Sequence, residues 1–456
     1  MTIYRARVFD TPQNPFLGGR LRGDADCAIA VDTDGTIVFR GAPDEARRRL
    51  PDDDLVDLRD GLLLPGMVDT HVHFPQIRAI GYLGTPLLEW LDQCALPEEA
   101  RLANTGYARE VASEFVTGLA SSGTTTALVF GSHFATAVDA LFTEADRVGL
   151  RVTSGLVTAD RILPEPLLTT PDRAFAEGEA LARAWHGTGR LRYAVTPRFS
   201  LSSSEALLQS DAALLAALGG AFFTSHINEN LAEVAAVADL FPEARDYLDT
   251  YDRAGLLQPR AVLAHNVHPT DAELVRLAET GTAVAHCPTS NSTLASGFFP
   301  LRRHHAHGVR VALGSDVGAG TGFSLFKEGV QAYFMQQLAP EGGVALSAAH
   351  LLHLATSAGA DALDLADQIG DLSVGKRFDA IWVRPAPGEP LDIGFRHASG
   401  DDDALAKLFA LGTPADVATV WVDGRVVTRR DRESGRADRP RAGRADHPRP
   451  SRSMTP

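Results

Sequence analysis

The chain is poor in cysteine. Cys27, Cys94 and Cys287 are odd in number and far apart, which excludes a disulfide framework and fits reduced thiols in a cytoplasmic protein. No apolar run approaches the roughly 18 residues of a membrane span. The opening MTIYRARVFDTPQ lacks the basic-then-apolar pattern of a secretory signal, so neither a membrane protein nor a secreted one is expected. Positive charge is also scarce. A net charge of -15 argues against non-specific binding to nucleic acid or to an anionic membrane. The basic residues are nearly all arginine, which reflects genome composition more than chemistry. No GxGxxG follows the first predicted barrel strand and no GK[ST] loop is present, which weakens a dinucleotide fold and a P-loop.

What is present is length and apolar mass. The chain has 456 residues, 45% of them hydrophobic, enough for one large core and a smaller one. Residues 1–64 read as β structure. AIAVDTDGTIVFRG sets a Thr-Asp-Gly turn between two alternating apolar runs, a hairpin signal. GKRFDAIWVRP and ATVWVDGRVV repeat that texture near the other end. We expect residues 1–64 plus 371–428 to form one composite β-sandwich domain. From 429 to 456, GRADRPR nearly recurs as GRADHPR, and Pro, Arg and Asp dominate. That composition predicts a disordered, solvated tail.

Between these ends, residues 65–370 alternate. Short apolar runs end in polar residues, and Ala/Leu-rich segments such as EALLQSDAALLAAL and ENLAEVAAVADLF follow at helical spacing. The runs are LLLPGMVDTHVH, TTTALVFGSH, RVTSGLVTAD, LRYAVTPRFS, AFFTSHINEN, AVLAHNVH, TAVAHCPTSN and VRVALGSDVG. Eight such units in about 300 residues predict an α/β fold, a (β/α)8 TIM-like barrel. In that fold the active site lies at the C-terminal ends of the strands. Those ends carry His71, His73, Asp160, Arg198, His226, His265, His286 and Asp316.

In PGMVDTHVHFPQ, His71 and His73 are two apart and so share a strand face. Two parallel imidazoles can hold one metal; two solvated loop histidines are the plainer alternative. In TSHINEN, His226 ends a strand and Glu229 follows three residues later, where a proton carrier could face the same substrate. On spacing alone, an ordinary acid in the first helical turn is the better reading of Glu229. His265 is assigned to the site and His268 to the loop before a helix near Pro269. Asp316 follows Val-Ala-Leu-Gly-Ser, flanked by Gly314, Gly318, Gly320 and Gly322, which allow close backbone packing. Two strand-1 histidines, one strand-5 histidine and a strand-8 aspartate suit one Zn2+ or Fe2+ with a position open for water. A bound divalent ion can lower the pKa of water to about 7. Asp316 can take that water's proton, Glu229 can carry a proton to the substrate, and His265 can orient the attacking oxygen.

The stretches DTHVHFPQ, LLEWL, GTTTALVFG, TPRFS, HINEN, CPTSN and GSDVGAGTGFSLF resemble the amidohydrolase-like metal-dependent hydrolases. Within them they are similar to guanine deaminases. The likeness runs from about 60 to 425. It implies hydrolysis of guanine to xanthine and ammonia in purine catabolism, with one divalent metal per chain. It implies His71, His73, His226 and Asp316 as ligands, Glu229 as proton shuttle and His265 beside the reacting carbon. Gln76, Arg198 and Phe199 become purine contacts, with Phe74 and Pro75 in the same stretch. A homodimer is the family expectation, and the partners implied are guanine and water. Departures are GSD where GTD is common, and Asn228 before Glu229. The chain has no C-x-x-C, so the unrelated H-x-E with P-C-x-x-C deaminase site is not expected. Other heteroaromatic substrates (a pterin, cytosine or a triazine) and a non-catalytic purine binder are the alternatives. Arg198 could grip the O6/N7 edge of guanine or pair with a carboxylate to brace the rim. His133, His286, Cys287, Trp90 and Asn291 have both pocket and plain packing readings.

Overall fold

Leu62 to Val68 is one apolar run, yet it serves two sheets. In the computed structural model β4 (Asp54–Pro65) ends at a proline, and β5 (Met67–His73) begins two residues later. Gly66 is the hand-over. A Cβ there would sit 2.2 Å from the Thr125 hydroxyl, so only glycine lets the chain pass from one sheet to the other so abruptly. The structure describes residues 1–340, 342–431 and 436–437.

The first sheet joins the two ends of the chain. It contains β1 (Thr2–Asp10), β2 (Arg22–Val31), β3 (Ile37–Gly41) and β4. To these it adds β13 (Ala380–Val383), β14 (Val417–Val422), β15 (Arg425–Asp431) and β16 (Arg436–Ala437). Its order is β16-β15-β14-β13-β4-β1-β2-β3. Tyr4 on β1 stacks on Phe378 at 4.7 Å and meets Trp421 of β14 edge-on at 5.5 Å. Strands three places apart in a flat sheet would be about 14 Å apart, so the sheet curls around its own core of aromatic and β-branched residues. Two helices, Pro390–Arg396 and Asp401–Leu411, lie inside the segment read as strands alone. The second sends Phe409 against Phe326 of the barrel shell at 5.7 Å. The predicted tail begins inside a strand, because β15 continues to Asp431. Apart from 436–437, the rest of that tail lies outside the described residues.

The second sheet is the barrel. Its strands after β5 are β6 (Thr124–Ser132), β7 (Arg151–Thr158), β8 (Leu191–Pro197), β9 (Phe222–Ile227), β10 (Ala261–His265), β11 (Ala283–His286) and β12 (Val311–Leu313). All seven neighbouring pairs are parallel. The ring closes just past β12. Asp316 N donates to the His71 carbonyl at 2.9 Å, and His73 N donates to the Val317 carbonyl at 3.0 Å. Closure therefore fixes Asp316 beside the two strand-1 histidines. The fold is the α/β barrel with an end-built sheet that the strand pattern predicts. Among the described residues no helix is long and apolar enough to cross a membrane.

Candidate active site

Four side chains meet at the C-terminal mouth of the barrel. His73 Nε2 lies 3.1 Å from His71 Nε2 and 3.1 Å from His226 Nε2. Asp316 Oδ1 is 3.3 Å from His71 Nε2 and 3.2 Å from His73 Nε2. Bonds of about 2.0–2.1 Å to one tetrahedral ion put neighbouring ligand atoms about 3.3–3.4 Å apart. The observed spacing is that of a ligand shell. Nitrogen lone pairs packed this tightly, away from water, repel one another unless a cation sits among them. His226 donates Nδ1–H to the Arg198 carbonyl at 2.6 Å, which leaves the Nε2 lone pair facing inward. Burial holds all three rings below the usual histidine range, His73 at about 4, so they are neutral, as ligands must be. The histidines hold Asp316 well below the usual carboxylate range, against the effect of burial.

The backbone around these groups is bent to aim them. Asp316 and His265 have φ of 47° and 73°, and Asn228 and Asn266 have 49° and 48°. Asparagine tolerates this left-handed region, and Asn228 uses it to turn the chain after β9 so that Glu229 points back into the barrel. Asn228 is tied there by bonds from Nδ2 to Asn266 Oδ1 (3.0 Å) and Glu273 Oε1 (3.1 Å). The helix that follows begins at Leu231, with Asn230 and Glu233 forming its capping box. Glu229 is thus outside the helix, and the reading as a first-turn acid fails. Gly318 and Gly320 are needed for close approach: a Cβ would lie 2.3 Å from the Gln76 carbonyl or 1.8 Å from that of Ser315. Ser315 donates its N–H to Asp69 Oδ1 at 3.0 Å and its hydroxyl to Oδ2. A threonine could make the same hydroxyl bond, so GSD keeps the function of GTD.

Glu229 is buried, and burial together with Asp316 pushes its carboxyl well above the usual range. Ser296 Oγ donates to it at 3.3 Å, and His265 Nε2 lies 3.5 Å from its Oε2. His265 Nε2 is also 3.8 Å from Asp316 Oδ2. Its Nδ1 faces Asn291 Oδ1 at 3.0 Å. That contact fixes the ring with Nε2 toward Glu229 and Asp316.

These residues share one cavity with His73, Gln76, Leu87, Trp90, Leu91, Arg198, Phe199, Leu294 and Ala319. Leu87, Trp90 and Leu91 come from a helical segment, residues 87–100, between β5 and β6. It contains a π turn at Leu91–Ala95, a feature frequent at functional sites. Three buried polar atoms on residues of this wall have no hydrogen-bond partner among the described residues: Gln76 Oε1, Trp90 Nε1 and His265 Nε2. Such atoms are costly unless a ligand satisfies them. Leucine and tryptophan faces with a few convergent polar atoms suit a flat aromatic ligand.

The structure separates the predicted site residues into groups. His71, His73, His226, Glu229, His265 and Asp316 converge, and Gln76, Arg198 and Phe199 line the same cavity. Phe74 and Pro75 are buried but do not line it. Phe74 follows His73, so it points the opposite way and packs edge-on against Phe115 at 5.8 Å. Asp160 is a scaffold residue that accepts from Ser204 N at 2.7 Å. His286 stacks on Phe299 at 4.1 Å, outside the cavity. Glu99 has no counterpart among the predicted residues. It is buried on the 87–100 segment and bonds to both Arg198 and Gln76. Nothing in PEEA separates it from the neighbouring Glu98. Cys287 joins a possible ligand group with His265 and Asp316, although burial raises its thiol well above the usual range and so opposes the thiolate a metal needs.

The sequence profile described as the Amidohydrolase family matches residues 62–427. The chain is 58% identical to the probable guanine deaminase of Deinococcus radiodurans over 95% of its own length and 100% of the relative's. It superposes on Escherichia coli guanine deaminase with a TM-score of 0.91 and 35% identity, covering 94% of this chain and 100% of the other. A Clostridium structure described as "Guanine Deaminase from C. acetobutylicum with bound guanine in the active site" gives 0.85 at 26% identity, over 93% and 99%. With a profile match spanning most of its length and relatives of this similarity, the chain belongs to the amidohydrolase family.

Proposed function

We propose that this chain is a guanine deaminase, hydrolysing guanine to xanthine and ammonia with one divalent ion, zinc in the first instance, per chain. The observation that carries the reading is Glu229: a buried carboxyl outside the helix that follows it, 3.5 Å from His265, lining the same cavity as the ligand cluster. A purine sensor has no use for such a group. When bound, the ion held by His71, His73, His226 and Asp316 would act as a Lewis acid toward water and substrate. The residues do the rest. Asp316 is ionised at neutral pH, so its outer oxygen can accept the proton of the attacking water. Glu229 can deliver a proton to the ring nitrogen beside C2; the proton taken up by Asp316 then goes to the departing amine, and the C2 hydroxyl returns one to Glu229. His265, fixed through Asn291, can hydrogen-bond the oxygen arriving at C2. Phe199, Leu87, Trp90 and Leu91 exclude water around the ring.

Relatives named guanine deaminase, at 58% and 36% identity over nearly the whole chain, support guanine over another heteroaromatic. The proposal retains a homodimer in the cytoplasm, consistent with three free cysteines. Incubating guanine with purified, metal-loaded protein and following the ultraviolet spectrum tests it. Stoichiometric conversion to the xanthine spectrum with ammonia release is expected. Turnover of a pterin, cytosine or triazine with guanine untouched would replace the substrate. Tight guanine binding with no turnover would make the protein a binder.

A further inference from the structure

We infer that Glu99 is a positioning residue that sets the hydrogen-bonding pattern of the substrate cavity, by forcing Gln76 to present an acceptor and Arg198 to present donors. The inference rests on the purine reading above and concerns how that purine is recognised. Glu99 Oε1 accepts from Gln76 Nε2 at 2.7 Å and from Arg198 Nη1 at 2.8 Å. Its Oε2 accepts from Arg198 Nη1 at 2.7 Å and lies 3.4 Å from His133 Nε2. The carboxylate is buried, and although burial opposes the charge, the Arg198 guanidinium holds Glu99 well below the usual range.

An ionised carboxylate can only accept hydrogen bonds. Whatever touches it must turn a donor toward it. Glutamine has one end of each kind and, left alone, could offer either to a ligand. With its amide nitrogen committed to Glu99, Gln76 is left with its carbonyl oxygen pointing elsewhere. That oxygen is buried and has no hydrogen-bond partner among the described residues. Gln76 lines the substrate cavity, so a bound ring must bring an N–H to it. Arg198 offers no acceptor in any state, and the bonds to Glu99 use Nη1. The wall therefore selects a heterocycle edge that carries an N–H for Gln76 and a carbonyl or ring nitrogen for Arg198. Guanine, a lactam, has both kinds of atom side by side. Glu99 does not line the cavity. It acts through two residues that do, from the same helical segment that brings Trp90 over the site.

A double-mutant cycle on guanine turnover tests this. Glu99→Gln keeps the shape but gains an amide donor, so Gln76 is no longer obliged to turn its carbonyl to the cavity. Glu99→Gln is expected to lower kcat/KM for guanine about 100-fold, mostly through KM, and Gln76→Met about tenfold. The double variant should fall about 100-fold rather than 1000-fold, because Gln76 is one of the routes by which Glu99 acts. Metal content should stay at the wild-type value throughout. Losses that multiply, or a fall confined to kcat, would overturn the inference, since a purely structural carboxylate would cost the same with or without Gln76. If Glu99→Gln does not accumulate as folded protein, the pair Glu99→Gln/Arg198→Met removes charge and countercharge together. It should remain about tenfold below Arg198→Met alone through Gln76, and equality of the two would overturn the proposal. Wild-type activity on guanine is measured in the same assay. Its absence would sink the deaminase reading itself, whereas wild-type turnover with an additive cycle would sink only the role of Glu99.

Discussion

The two rims of the barrel are made from the same strands, yet they treat polar groups in opposite ways. At the N-terminal rim, charges meet charges. Arg151, at the start of β7, donates Nε to Asp379 Oδ2 at 2.7 Å and Nη2 to Asp423. Arg190 pairs with the same Asp423, and Arg260 pairs with Asp364 at 2.7 Å. Asp379 directly precedes β13 and Asp423 lies in the turn between β14 and β15, so the pairs they make with Arg151 and Arg190 staple the end-built sheet to the barrel. At the C-terminal rim, three imidazoles crowd around the one carboxylate of Asp316, burial pushes the Glu229 carboxyl well above its usual range, and Gln76 Oε1, Trp90 Nε1 and His265 Nε2, on residues that line the cavity, are buried without hydrogen-bond partners among the described residues. A rim that satisfies its charges internally holds the fold together. A rim that leaves polar groups unsatisfied is arranged for something else to bind.

The largest expected effect lies at the crowded rim. His71→Ala removes one of the four converging ligand atoms. We expect metal content to drop from about one ion per chain to none. Guanine turnover should fall by at least about 10⁴-fold, because the Lewis acid is gone. Elemental analysis beside the spectrophotometric assay checks both. Full activity in a demonstrably metal-free preparation would end the metal reading.

The matched rim should fail differently. Arg151→Met leaves the buried Asp379 without its arginine, while the half-buried Asp423 keeps Arg190 and Arg377. Breaking a buried pair in this way costs about 3–5 kcal/mol. Thermal and denaturant unfolding should show that loss, while turnover per folded molecule stays within about twofold, because the site is at the other rim. A variant of unchanged stability but impaired catalysis would erase the contrast between the rims.

Glu229→Gln changes one proton and almost nothing else. The amide keeps the shape and cannot shuttle. Retained metal, near-normal purine affinity and a fall in turnover of at least about 10²-fold are expected, read by metal analysis, ligand titration and kcat. Normal turnover would demote Glu229 to a buried spectator.

Much of this contrast is legible in the sequence, for reasons that particular residues make clear. The strand alternation of His71 and His73 is a period-two pattern, and the turn after His226 is short, so both carry their geometry locally. Strand ends define the rim, which is why His265 and Asp316 can be placed there. What fails is anything depending on where a side chain points after the strand stops. Contiguity alone groups Phe74 and Pro75 with the purine contacts, yet alternation turns Phe74 into the core beside Phe115. Glu99 has no local signature at all. Glu98 beside it pairs with Arg101 near the surface at 2.8 Å, and only tertiary packing shows which of the two acids reaches Arg198. The helices at 390–411 escape the sequence reading because the flanking strands carry the stronger apolar pattern.

The smallest expected effect concerns a carboxylate that neither rim claims. Asp211 sits on the helix Glu205–Ala217, fully buried, and accepts one bond from Thr158 Oγ1 at 2.9 Å. Burial pushes it up to about 7, with Asp160 adding to the rise and Thr158 opposing it. An unfolded aspartate titrates near 3.9. Below about pH 4 both states hold the proton, and the group does not favour unfolding. Between about 4 and 7 the unfolded chain releases its proton while the folded chain keeps it, so stability falls as pH rises. Above about 7 the folded group ionises too, and the loss levels off. A tenfold difference in proton affinity between the two states corresponds to about 1.4 kcal/mol. Relaxation around a buried carboxylate reduces the total, so about 1–2 kcal/mol is expected across the window. Asp211→Asn is neutral at every pH and keeps a bond to Thr158. Its melting temperature should match wild type near pH 4 and exceed it by a few degrees at pH 8, with guanine turnover unchanged. If both proteins lose stability equally between pH 4 and 8, the dependence arises elsewhere, and Asp211 is as well satisfied as the paired carboxylates of the N-terminal rim.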